Sequence, residues 1–378
     1  MKFKLLILGS VVSLFCSCSS IQRFARQEIK TNISCADIIF EEKMPLVVLD
    51  VDKIQRRFLF DTGATTSCIT DSIVIQTLSN KEFTTLGSAT GADGKKIKSK
   101  LYVSDMQSEL FASENKVLTF IDMPANKCNS RRSRFSGILG MDVFFDKHLS
   151  MKMDFTNNKV CNITTDQIHT LLQQEPYNLV KSKFKYKQIY VFLTIEGKEY
   201  KFKLDTGFTG SITMPIKNAS FQSKQKTELV GSFYLTITSF TDGNETLYEK
   251  IPMTFGIENL EAKINLSGTI VGQNIGIEFM KGFDWIIDYN KSKVYTKRNA
   301  NKIENVFANK ITYYTRVEKE KLWIVLKEKS QTKYNLRDEV VSVGKVKVTS
   351  ENICELQELL NKTEDWNTLE LEVFSSKR

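Results

Sequence analysis

The residues of this chain best suited to chemistry are two aspartates, each opening an Asp-Thr-Gly tripeptide: Asp61-Thr62-Gly63 and Asp205-Thr206-Gly207. Each tripeptide follows a short strand-like run, Phe58-Leu59-Phe60 or Phe202-Lys203-Leu204. Each precedes a small polar stretch, Ala64-Thr65-Thr66-Ser67 or Phe208-Thr209-Gly210-Ser211. Two carboxylates held close together cannot both ionise cheaply, so one keeps a proton. The charged member can then act as a general base toward water, and the protonated member as a general acid toward a carbonyl. Such a pair titrates as a unit, and the sequence assigns neither role to Asp61 or to Asp205. Thr62 and Thr206 carry hydroxyls that can brace the two loops. Gly63 and Gly207 let two backbones approach closely, because any Cβ there would intrude.

Positioning two such loops requires two similar scaffolds, and the chain repeats itself accordingly. After the first tripeptide come Gly137-Ile138-Leu139-Gly140, a short helix candidate at 141–145, and the strand-like Met151-Lys152-Met153-Asp154-Phe155. After the second come Gly268-Thr269-Ile270-Val271-Gly272, a helix candidate at 277–280, and Trp285-Ile286-Ile287-Asp288-Tyr289. The span from aspartate to closing glycine is 79 residues in the first copy (61 to 140) and 67 in the second (205 to 272). Loop-length variation within one repeated unit accounts for a difference of that size.

With both tripeptides and both apolar-apolar-Gly segments in this order, residues 30 to 300 resemble the pepsin and retropepsin superfamily of aspartic proteases in its two-lobed, single-chain form. The resemblance implies a mainly β fold with one small barrel per lobe and the apolar-apolar-Gly strand passing beneath each catalytic loop. It implies Asp61 and Asp205 as catalytic residues, supported by Thr62, Gly63, Thr206 and Gly207. It also implies a peptide or protein substrate and no cofactor or metal. The expected first lobe spans 31–165, the interlobe connection 166–183 and the second lobe 184–300. The family usually carries Ser, Thr or Ala after the glycine. Ala64 fits this pattern; Phe208 departs from it, offers no hydroxyl, and is expected to crowd the second loop. Between Asp61 and Gly140, the turn-rich Thr90-Gly91-Ala92-Asp93-Gly94 predicts a hairpin that could close as a flap. A weaker counterpart is Ser239-Phe240-Thr241-Asp242-Gly243-Asn244.

The N-terminus reads as a targeting segment. Lys2 and Lys4 precede an apolar run over 5–15 that ends in Cys16-Ser17-Cys18. This resembles a bacterial lipoprotein signal over 1–17, with Cys18 as the lipidated residue and 18–30 as a tether. The expected location is the bacterial cell envelope, periplasm-facing, with the membrane as a partner through the lipid. An ordinary cleaved signal is the alternative. Five further cysteines show no zinc-like spacing, and their pairing cannot be read. The formal charge of +9 is spread without a dense run and reads as a solvated surface; an exported protein is not expected to have nucleic acid as a partner. Two histidines, His148 and His169, leave little room for a Ser-His or Cys-His hydrolase. Nothing in the dyad requires an oligomer.

Beyond residue 301 the aspartate pattern is finished. Strand-like 322–326, the run from Asn335 to Gly344, a helix predicted over 351–360 and a final strand over 369–374 follow. This order is similar to the latter part of a PDZ domain, without a clear glycine-containing carboxylate-binding loop. The leading expectation is a membrane-tethered aspartic endopeptidase. The alternative is a non-catalytic peptide-binding or scaffolding lipoprotein on the same fold.

Overall fold

A computed structural model of the chain describes residues 28–78, 83–123, 128, 135–145, 148–307 and 311–375. The leader, Cys18 and most of the expected tether lie outside the described residues. Residues Glu28–Thr31 are no tether, however. They form an edge strand antiparallel to Phe111–Phe120. Among the described residues no helix is long and apolar enough to cross a membrane.

The described residues are mainly β and form three sheets. In the first half, the strand Ile54–Phe60 leads to Asp61. The short strand Gly137–Leu139 threads between it, in parallel, and Cys68–Ile69, antiparallel. In the second half, Lys198–Leu204 leads to Asp205, and Asn274–Ile275 threads between it and Ile212–Pro215 with the same two senses. The threaded strand of the second half is therefore Asn274–Ile275, beyond the expected Ile270-Val271-Gly272. Gly276, four residues beyond Gly272, is the counterpart of Gly140. Each glycine precedes a short helix, Met141–Val143 or Ile277–Met280, whose second residue is acidic. Asp142 pairs with buried Lys116 and Glu278 with buried Lys263. These matching ion pairs support the corrected register.

A six-stranded sheet joins the halves. At its centre Ser150–Asp154 lies antiparallel to Phe283–Asp288, with Lys152 opposite Ile286. Antiparallel pairing of equivalent strands is what a local twofold relation requires. Fully buried Trp285 anchors this layer. Its indole N–H donates to the Met280 carbonyl at 2.9 Å, so the buried nitrogen costs nothing. The interlobe segment holds the helix that its sequence predicts over Gln167 to Gln173, before the break at Pro176. Thr165–Gln174 is a helix closed by a Thr164/Gln167 capping box, and Asn178–Val180 joins the central sheet. One disulfide, Cys35–Cys161, ties the edge of this sheet, while Cys68 is buried and free.

The segment expected to be a separate unit at 301–378 does not stand apart. It has its own apolar cluster around Tyr313, Leu322, Ile353 and Trp366. Yet its strand Lys321–Glu328 pairs with Lys226–Leu235 of the second half, placing both in one thirteen-stranded sheet. Gly231 makes this possible. Its φ is +121°, and a Cβ there would lie 2.2 Å from the Val325 carbonyl. A second disulfide, Cys128–Cys354, links the helix Ile353–Lys362 back to the first half.

Candidate active site

The two aspartates end equivalent strands, and each is fixed first by its own main chain. The Asp61 N–H donates to the Leu139 carbonyl at 3.0 Å, and the Asp205 N–H to the Ile275 carbonyl at 2.9 Å. The loops that follow are held alike. Met141 N–H donates to the Ala64 carbonyl, and Ile277 N–H to the Phe208 carbonyl, both at 2.9 Å.

The loops then interlock across the halves. Thr62 N–H donates to Thr206 Oγ1 at 2.9 Å, and Thr206 N–H donates to Thr62 Oγ1 at 3.1 Å. The Thr206 hydroxyl in turn donates to the Phe60 carbonyl at 2.6 Å. Both threonines are fully buried. Losing one such partner would leave buried donors unmet, at a cost of about 1–3 kcal/mol each. The glycines face the opposite carboxyl groups. A Cβ on Gly63 would lie 2.4 Å from Asp205 Cγ, and one on Gly207 2.5 Å from Asp61 Cγ. Only glycine allows the two carboxyls to sit this close to the facing loop.

The result sets each carboxyl against the opposite loop's glycine. Asp61 Oδ1 accepts from Gly63 N–H at 2.7 Å and from Ala64 N–H at 3.1 Å. The Asp205 carboxylate instead takes the ammonium of Lys203, with Nζ 3.2 Å from Oδ2. Burial, and then the charge of Asp205, push the Asp61 carboxyl up to about 7, against the opposing pull of Lys203 and the Gly63 amide. Asp61 thus keeps its proton across the mildly acidic range.

All six residues expected at the site are brought together. Residues 47–143 match an aspartyl protease family model. That match covers Asp61, Thr62, Gly63 and the threaded Gly137–Leu139 strand of the first half. No curated protein matches the chain. The second half, outside the matched segment, supplies the partner carboxyl through the same loop geometry as the aspartyl-protease-like first half.

Phe208 does not crowd the loop. Its ring lies over Gly210 and Gly276, where added Cβ atoms would come 2.4–2.5 Å from ring atoms, and meets Tyr234 edge-on at 6.0 Å. Thr90 to Gly94 do form a hairpin end. Phe83–Thr90 and Lys96–Gln107 pair, and the turn closes through Gly91 N–H to the Lys95 carbonyl at 2.9 Å. The hairpin of the second half turns at 236–239 and shares only Ser239 with the expected Ser239–Asn244 stretch, the rest of which is strand. The two tips meet. Thr238 Oγ1 donates to Asp93 Oδ2 at 2.7 Å, and the Val271 N–H to the Ala92 carbonyl at 3.2 Å. Ile237, Ala89 and Ile97 pack, as Ala64 of the Asp61 loop does, on an apolar cluster that includes Leu59 and Ile138. The residue that sequence reading misses is Lys203. Its one signal is a lysine two positions before Asp205, where the first half has Leu59.

Proposed function

We propose that this protein is an aspartic endopeptidase, two-lobed in the manner of the pepsin and retropepsin superfamily. The observation that carries this is the reciprocal Thr62–Thr206 bonding, which holds the Asp61 and Asp205 carboxyls against each other's glycines. A pure binding module needs no such construction. In the proposed reaction the ionised carboxylate takes a proton from a water. The resulting hydroxide-like oxygen attacks the peptide carbonyl, whose oxygen receives the proton of the other carboxyl. Collapse of the tetrahedral intermediate breaks the C–N bond as the carboxyl that took the water's proton gives it to the amine nitrogen and an intermediate hydroxyl returns a proton to the other carboxylate, leaving a carboxylic acid, an amine and the dyad restored. The paired hairpin tips serve as flaps that open for substrate and exclude water when closed.

The C-terminal segment, PDZ-like in its element order, is read as a brace rather than a peptide receptor. Its outer strand Tyr313–Glu318 would be the edge for an added strand. The Thr315 N–H and carbonyl are already paired with the Asn361 side chain, at 2.7 and 3.0 Å, and the Val317 N–H with Gln357 at 2.9 Å. The charged start, short apolar run and Ser17-Cys18 junction support a lipid anchor in the bacterial envelope.

Digestion of a peptide library by the purified full-length chain, read by mass spectrometry, tests the activity. Cleavage products from the parent, absent with Asp61→Asn, are expected. No cleavage by folded parent between pH 4 and 8 would count against the enzyme. For the anchor, Cys18→Ser is expected to move the protein from the membrane to the soluble fraction or to block processing.

A further inference from the structure

In each half, the residue two before the aspartate lies on the same face of its strand as the aspartate. In the first half that residue is Leu59, paired in register with Ile138, and both sit in the apolar cluster beside the flaps. In the second half it is Lys203, paired in register with Asn274. The halves are therefore alike in backbone and opposite in character on the face that carries the dyad. Lys203 Nζ is 3.2 Å from Asp205 Oδ2 and donates across the interface to the Gly63 carbonyl at 3.2 Å. A lysine in the interior loses solvation, and such a group is kept only where anionic partners repay the loss.

The donors on the two carboxyls divide accordingly. Asp61 has the main-chain N–H groups of Gly63 and Ala64. These neutral donors also favour an ionised carboxyl, but less than a full charge does. Asp205 has a full positive charge. An adjacent cation favours the charged form of a carboxyl and works against the neutral one. We propose that Lys203 is a positioning residue for the dyad: its ammonium fixes the pair's negative charge on Asp205 and leaves Asp61 as the carboxyl that carries the proton. This deepens the aspartic-protease reading and rests on it for the catalytic roles. Asp205 becomes the base toward water and Asp61 the acid toward the carbonyl.

The other titratable groups around the pair leave this assignment intact. The Cys68 thiol, held up to about 12 by burial, stays neutral. The Tyr190 phenol, on the strand beside Lys203, donates to Gln188 Oε1 at 2.6 Å. Burial disfavours the charge on Lys203, but Asp205 and then Asp61 outweigh it and hold the ammonium above the ordinary lysine range.

The test replaces Lys203 with Met, which keeps length without charge, and with Arg, which keeps charge. The full-length parent and both variants are followed by kcat/KM against pH and by carboxyl 13C NMR of labelled aspartate. In Lys203→Met the acid limb of kcat/KM is expected to move up by about 1–3 pH units, and Lys203→Arg to restore most of that shift. The NMR titration should show the same upward move in the first ionisation of the pair. A merely structural lysine would lower Tm and kcat and leave the limb in place. An acid limb and a carboxyl titration in Lys203→Met that match the parent overturn the proposal. The NMR arm needs no turnover. If the parent cleaves nothing, the protease reading fails while the titration still decides whether Lys203 sets the charge of the pair. If Lys203→Met does not fold, the titration of Lys203→Arg decides. A parent-like first ionisation is expected there, and its loss despite the retained charge overturns the proposal.

Discussion

Replacing Asp61 with Asn is expected to abolish cleavage and, at neutral pH, to stabilise the fold. In the folded chain Asp61 titrates at about 7, against an ordinary value of 3.8. Between those values the folded protein holds a proton that the unfolded chain has lost. The stability this proton represents is complete below pH 3.8 and is lost as pH rises through about 7. A difference of that size corresponds to about 4 kcal/mol, a ceiling because Asp61 keeps partial exposure at the cleft. The introduced asparagine would keep the acceptor for Gly63 and Ala64 N–H and present its NH2 to Asp205. It carries no charge to desolvate. Urea unfolding of parent and variant at about pH 4.5 and about pH 7.5 checks this. The variant should gain about 2–4 kcal/mol relative to the parent between the two pH values. Asp205→Asn should gain less, because it removes the counter-charge of half-buried Lys203. Equal pH dependence in parent and Asp61→Asn would refute the shared-proton argument.

Two further outcomes follow from close contacts. Gly207→Ala drives a Cβ to 2.5 Å from Asp61 Cγ and is expected to lower kcat at least about 100-fold with a small change in KM; parent-like turnover would show that the loops can part without loss. Gly231→Ala meets the Val325 carbonyl in a left-handed conformation. It should speed hydrogen exchange in both 226–235 and 321–328, and an effect confined to one strand would argue against the shared sheet as a cooperative unit.

The dyad is legible in the sequence because its parts are local. Asp-Thr-Gly is a contiguous device, and its duplication exposes the relation between halves. What stays hidden depends on contacts distant in sequence. The threaded strand of the second half is misplaced by sequence pattern because 268–272 carries the apolar-apolar-Gly signal, while the true strand holds buried Asn274 in place of an apolar residue. Lys203 reads as an ordinary member of an alternating strand, since only the fold reveals that its face looks onto Asp205. The lack of hydroxyls at Ala64 and Phe208 points to a raised upper pKa for the pair. The structure gives that direction a different cause, burial and Asp205. Phe208 looks like a misfit in sequence because Gly210 and Gly276, which make room for it, are recognisable only in space. The docking of Lys321–Glu328 on a strand about a hundred residues earlier is a non-local pairing that composition does not encode.

The decisive measurement is kcat/KM for one identified peptide, taken across pH for the parent, Asp61→Asn and Asp205→Asn. A working dyad gives the parent a bell whose alkaline limb falls near pH 7. Both variants should lose at least about 1000-fold at every pH, because the two residues act as one unit. Parent-like cleavage by either variant, or a parent rate that keeps rising through about pH 8, would contradict a catalytic pair at Asp61 and Asp205.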